Sequence, residues 1–135
     1  WLSVRFDDQT ELMLYILRDE VGNPDPHSKL VWISADGELT HMGPDDFKWT
    51  ILRRWESPDS QSNYPVETTL SGLRPDGSPY QLLIKPLFDE QELTGELGGI
   101  AYWEGACDIL EKGEVVGEAY MELTGYNESL ESQLR

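Results

Sequence analysis

Carboxylic acids and phenols recur two or four residues apart in three stretches of this 135-residue chain. Tyr102 and Glu104 stand in YWEGACDIL, Tyr120, Glu122 and Tyr126 in GEAYMELTGY, and Glu11 and Tyr15 in ELMLY. Side chains of an extended chain alternate between two faces. Each stretch therefore gathers its acids and phenols on one face. The opposite face carries Leu12 and Leu14, or Trp103, Gly105, Cys107 and Ile109, or Ala119, Met121 and Leu123. Two readings follow. If the acid–phenol face is outside, it is the wet surface of a sheet, in keeping with how rarely charged groups are fully buried. If it lines a cavity, a carboxyl group in apolar surroundings has a raised pKa and stays protonated near neutral pH. Glu104 or Glu122 would then be the catalytic acid that protonates an alkene, the first step of hydration, with aromatic faces stabilising the carbocation. On that reading Glu11, Tyr15, Tyr102, Tyr120 and Tyr126 form the ligand-binding wall, and Trp103, from the opposite face, is counted with the ligand-binding residues while packing between the sheet and a partner domain.

Other chemistries lack their residues. There is no phosphate loop, dinucleotide fingerprint, nucleophile elbow or HExxH motif. His27 and His41 do not stand at ligand spacing from another histidine, and Cys107 is the sole cysteine. No metal site, no cofactor and no internal disulfide are expected. Cys107, within an apolar alternation and with no histidine nearby, reads as a small buried filler. The formal net charge of −16 repels phosphate backbones and anionic membrane surfaces, so nucleic acid is not an expected partner. No apolar run of about 18 residues is present, so no membrane-spanning helix is expected. Trp32, Trp49, Trp55 and Trp103 read as core or rim packing. Arg53-Arg54 is the main local basic pair, able to pair with Asp45-Asp46 or the Glu92 region in a surface salt bridge.

The elements that must position these residues are strands. Turn signals recur every 8–15 residues along the sequence. Between them lie Trp1–Phe6, Glu11–Arg18, Lys29–Ser34, Glu38–Met42, Phe47–Trp55, Tyr64–Leu73 and Tyr80–Leu87, and then a long hairpin. Its arms, Ile100–Leu110 and Val115–Tyr126, flank Glu111-Lys112-Gly113-Glu114, where glycine can take the positive φ of a tight turn. One helical turn is expected at Gly43-Pro44-Asp45-Asp46, and an acidic loop over Asp89–Glu96. Strands joined in order by short turns predict an all-β antiparallel meander, closing into a barrel of about eight to ten strands, wide enough for one small ligand. The length suits one domain. The abrupt start on Trp1 suggests part of a longer protein.

Five blocks carry a resemblance: DDQTELMLYILR (Asp7–Arg18), DGELTHMGPDDF (Asp36–Phe47), WESPDSQSNYPV (Trp55–Val66), YWEGACDI (Tyr102–Ile109) and GEAYMELTGY (Gly117–Tyr126). In this order they resemble the C-terminal half of the lipocalin-like family of AttH-like predicted secreted hydrolases and carotenoid 1,2-hydratases (hydroxyneurosporene synthases). Fungal proteins of the kievitone hydratase kind look like more distant relatives. The resemblance implies a lipocalin-like barrel that is the second of two, with an N-terminal lipocalin-like domain as its partner. It also implies a small apolar, isoprenoid-like ligand and a periplasmic or secreted location. Ligand binding is the function expected first, a hydratase or other lyase second, and a structural half without its own site third. A face left open by a missing half would favour self-association.

Overall fold

The computed structural model describes residues 1–95 and 100–126. Ten strands run in chain order: β1 (Leu2–Phe6), β2 (Glu11–Tyr15), β3 (Lys29–Ile33), β4 (Leu39–Met42), β5 (Phe47–Glu56), β6 (Asn63–Leu73), β7 (Pro79–Pro86), β8 (Glu92–Thr94), β9 (Ala101–Glu111) and β10 (Glu114–Leu123). A 3₁₀ turn at Pro44–Asp46 joins β4 to β5. All pairings are antiparallel, in the order β4-β3-β2-β1-β10-β9-β7-β6-β5, with β8 added to the free stretch of β9. The fold is thus an all-β, lipocalin-like antiparallel meander, as the turn spacing predicts. No helix among the described residues is long and apolar enough to cross a membrane.

The sheet curls until distant strands meet inside it. Trp32 on β3 and Tyr80 on β7, with β2, β1, β10 and β9 between them in the sheet, stand edge to face at 5.2 Å. Closure is incomplete: β4 and β5 are not paired with each other among the described residues. Pro44 cannot donate to a ladder, and it stops β4 after four residues. The Gly43 amide donates instead to the Asp46 carboxylate (2.8 Å), and the 3₁₀ turn carries the chain on where a hairpin would have zipped the two edges together. The result is a curled half-barrel.

Alternation decides what fills it. Leu2, Val4, Leu12, Leu14, Leu30, Leu70, Leu82, Ile84, Ile109 and Met121 all point inward and are buried. Each contributes roughly 1.5–3 kcal/mol by leaving water. The β9–β10 hairpin turns on Lys112 (φ 51°) and Gly113 (φ 82°), the doubly left-handed geometry of a type I′ turn. Two strand assignments shift. β2 ends at Tyr15, because the Leu17 amide donates to the Ser28 hydroxyl (3.0 Å). The acidic loop contains β8, whose three residues are too few to show an alternation.

Candidate functional site

The acid–phenol face is the outer one. Tyr102 and Glu104 on β9 are half-buried, and Tyr120 on β10 is 44% exposed. Glu122 lies directly across the ladder from Glu104. Glu11 is exposed and Tyr15 half-buried on the same convex surface. Both hairpin phenols are held above their ordinary value of 10. A hydrogen bond to the Glu104 carboxylate is the first cause for Tyr120; for Tyr102 it is desolvation and then that same carboxylate. The placement of this face toward the hollow is therefore corrected. The interior needs side chains that can lose water cheaply, and only the other face offers them. Trp103 belongs to that inner face: it is 0% exposed, and its indole N–H donates to the Asp89 carbonyl at 2.7 Å. Tyr126 stands apart from both sets, tilted against Tyr64 at 5.8 Å beneath the Arg18 guanidinium at 4.0 Å. Glu11 lines a shallow outer groove of about 580 Å³ with Arg5, Asp108 and Glu118.

Both ends of the half-barrel carry polar groups, in different arrangements. At the end where β5 passes to β6, the Glu92 carboxylate accepts from Ser57, Ser60 and Tyr64, the last at 2.7 Å. Desolvation acts to raise this carboxyl, and the three O–H donors outweigh it, holding it below its ordinary value of 4.5. Burial, then Glu92, pushes the Tyr64 phenol up to about 12. Ser57, Ser62 and Tyr64 are buried, so this cluster is a latch between the β5–β6 loop and β8 and offers no entry to a substrate. Arg53 lies nearby and pairs with Asp89 (2.8 and 2.9 Å), in the acidic region around Glu92, and with Glu67 (3.1 Å), which sequence did not point to; Arg54 donates to the Asn63 carbonyl.

The opposite end is open. A cleft of about 260 Å³ is lined by Phe6, Asp7, Asp8, Thr10, Trp32, Arg74, Glu111, Val115 and Val116. Three turns build it: β1–β2, β6–β7 and β9–β10. A register shift between Val115 and Gly117 sets Val116 outside the ladder, and its carbonyl accepts from the Asp7 amide (2.9 Å). Phe6 stacks on Trp32 at 5.8 Å with an interplanar angle of 11°, which makes the apolar floor. Arg74 spans the polar side: one guanidinium nitrogen donates to both Glu111 oxygens (2.8 and 2.7 Å), the other to the Pro79 carbonyl (2.9 Å). Asp8 accepts from the Thr10 hydroxyl (2.6 Å) and amide (2.9 Å), and these bonds keep its carboxyl below the usual range. Behind the floor, burial pushes the Tyr80 phenol up to about 12. One polar group stays unmet: the Trp32 indole nitrogen is buried without a hydrogen-bond partner. No group of three or more His, Cys, Asp or Glu among the described residues is arranged to hold a metal ion.

Sequence reasoning passed over every residue of this cleft as a site. Phe6 and Trp32 belong to strands and read as packing, and the rest come from turns or strand ends that look merely structural, although in an antiparallel meander alternate turns share one end of the sheet.

Comparison with known proteins agrees with this architecture. The AttH-like family model matches residues 1–126. The chain belongs to the AttH-like family. No curated protein matches the sequence. Among solved structures, a candidate AttH of Nitrosomonas europaea is similar to this AttH-like domain with 32% identity and a TM-score of 0.80, over 93% of this chain and 38% of the other. Kievitone hydratase of Nectria haematococca shares the fold at 16% identity and a TM-score of 0.65, over 92% of this chain and 38% of the other. The AttH-like domain thus spans about two fifths of the length of either.

Proposed function

We propose that this domain holds the apolar end of a small isoprenoid-like molecule in the rim cleft, as the C-terminal half of a longer AttH-like protein whose N-terminal lipocalin-like domain covers the rest of the ligand. The observation that carries this is where space remains. The hollow is occupied by buried side chains of β1, β2, β6, β7, β9 and β10. The rim keeps a cleft of about 260 Å³ between Phe6, Trp32, Val115 and Val116. Ligand pockets usually measure roughly 300–1,000 Å³, so this one suits part of a molecule and needs a second wall. The span of about two fifths of each solved relative leaves room for that wall elsewhere in the longer protein. A periplasmic or secreted location rests on the sequence resemblance alone.

Titration of the full-length protein with geraniol, followed by tryptophan fluorescence, tests the reading. Val116→Arg places a charged side chain in the cleft and is expected to weaken binding at least tenfold. Undiminished binding in that variant refutes the rim site, and no binding in either protein leaves the structural role.

Alkene hydration is the second reading, favoured by one observation: Glu104 and Glu122 face each other across β9 and β10, flanked by Tyr102 and Tyr120. On a convex surface they would act only beneath a covering domain. Glu104→Gln and Glu122→Gln are then expected to abolish turnover of a terpenoid alkene by the full-length protein, and full activity in both variants disposes of this reading.

A further inference from the structure

The rim cleft carries more negative charge than it answers. Asp7, Asp8 and Glu111 line it against one guanidinium, and Arg74 spends that charge on Glu111 at 2.7 Å. Two carboxylates are left over. Asp8 takes both Thr10 donors on Oδ1; its other oxygen and the Asp7 carboxylate accept no hydrogen bond from the described residues, and both side chains are exposed. The Trp32 indole N–H is sealed from solvent and offers the cleft no donor. Along its outer side the cleft shares Phe6, Asp7 and Val115 with the groove of about 580 Å³. That groove repeats the imbalance, adding Glu11, Asp108 and Glu118 against Arg5. Lys85, the ladder partner of Asp108, and Lys112 on the hairpin turn line neither space.

We propose that the apolar chain seated on the Phe6–Trp32 floor carries a hydrogen-bond donor where it meets this acid side, a hydroxyl or, more tightly, a protonated amine, and that the cleft rejects the corresponding carboxylic acid. On their own these acids are ordinary turn residues. They select a ligand because they border a cleft whose floor is apolar and aromatic. Ionised carboxylate oxygens only accept, and they bond more strongly to charged donors than to neutral ones. An acid would bring a charge of the same sign into a space whose single cation is already taken. Two unit charges about 7 Å from the bound group, screened by water at an open rim, together change affinity by about five- to tenfold, upward for a cation and downward for an anion. Phe6 and Trp32 do not oppose the cation, since aromatic faces attract positive charge.

This inference rests on the rim-binding reading, and the test separates the two. Geraniol, geranylamine and geranic acid share one chain and differ in the polar group. Each is titrated into the full-length protein at neutral pH and about 0.1 M salt, followed by tryptophan fluorescence. Geranylamine is expected to bind about five- to tenfold tighter than geraniol, and geranic acid weaker by about the same factor. In the double variant Asp7→Asn, Asp8→Asn the three affinities should fall within about twofold of one another. The amide oxygen at position 8 still accepts from Thr10, so the turn is kept. Equal binding of geraniol and geranylamine overturns the head-group assignment, as does geranic acid binding on a par with geraniol or an order of preference that survives the double variant. Each of these leaves the rim site standing while Val116→Arg still weakens geraniol. If geraniol does not bind, or Val116→Arg leaves its binding unchanged, the rim site falls and this inference with it. Should the double variant fail to fold, salt decides: at about 1 M the preference should shrink to about twofold, and an unchanged preference overturns the assignment.

Discussion

Replacing Glu122 by lysine tests which face of the long hairpin meets water. Glu122 and Glu104 are direct partners in the β9–β10 ladder, and neither forms an ion pair with a described residue. The Trp1 backbone nitrogen donates to the Glu122 carbonyl oxygen at 2.9 Å, leaving the carboxylate unbridged. Like charges directly opposite destabilise a sheet, and opposite charges stabilise it, by roughly 0.2–1 kcal/mol each. Glu122→Lys exchanges one for the other. Screening at a half-exposed position reduces the swing to about 0.5–1.5 kcal/mol. For a domain of this size that is a rise in Tm of about 2–6 °C. Glu122→Gln removes only the repulsion and should give about half as much. Both gains should shrink with salt, since the Debye length falls from about 10 Å at 0.1 M to about 3 Å at 1 M. Calorimetry at the two salt concentrations measures this. Were the face an internal lining, a buried lysine would cost several kcal/mol instead. A fall in Tm for Glu122→Lys, or a gain indifferent to salt, would refute the outward placement.

Four further outcomes follow from the packing. Trp103→Phe removes the 2.7 Å indole bond to the Asp89 carbonyl, which keeps the Gln91 amide at 2.9 Å, and shortens a fully buried side chain, so it should cost about 1–3 kcal/mol in urea unfolding. Gly117→Ala brings a Cβ to 2.5 Å from the Arg5 carbonyl oxygen, a backbone atom that cannot step aside, so a loss of roughly 1–3 kcal/mol is expected by the same assay. Glu92 has a depressed carboxyl pKa in the folded state, so its stabilisation is present above 4.5 and disappears as pH falls through the folded value; Glu92→Gln should flatten the acid limb of a stability–pH curve. Cys107 is 1% exposed and its thiol is pushed up to about 12 by burial and then Asp108, so a disulfide reagent should label it only on unfolding.

Much of the fold was legible in the residues because a strand buried on one side writes its period into the chain. Lys29–Ile33, Phe47–Glu56 and the β9–β10 hairpin lie within a residue or three of their expected limits, and Pro44–Asp46 is the short helical turn expected there. β8 was not legible: its pairing with Ala101–Trp103 is a long-range contact that three residues cannot announce. The same holds for the Arg53 partner Glu67, chosen by strand neighbourhood and not by nearness in the chain.

The alternating pattern by itself determined which side chains travel together: Tyr102 with Glu104, Tyr120 with Glu122, Trp103 with Cys107 and Ile109. Which company goes inside is a question about the whole sheet. Only the curl, with its demand that facing strands exchange water for each other's surface, turned the aliphatic set inward and set the acids and phenols on the convex side. The tertiary structure alone also left β4 and β5 unpaired with each other among the described residues and brought three separate turns together around Trp32, because pairing across a curled sheet joins residues that no local period connects.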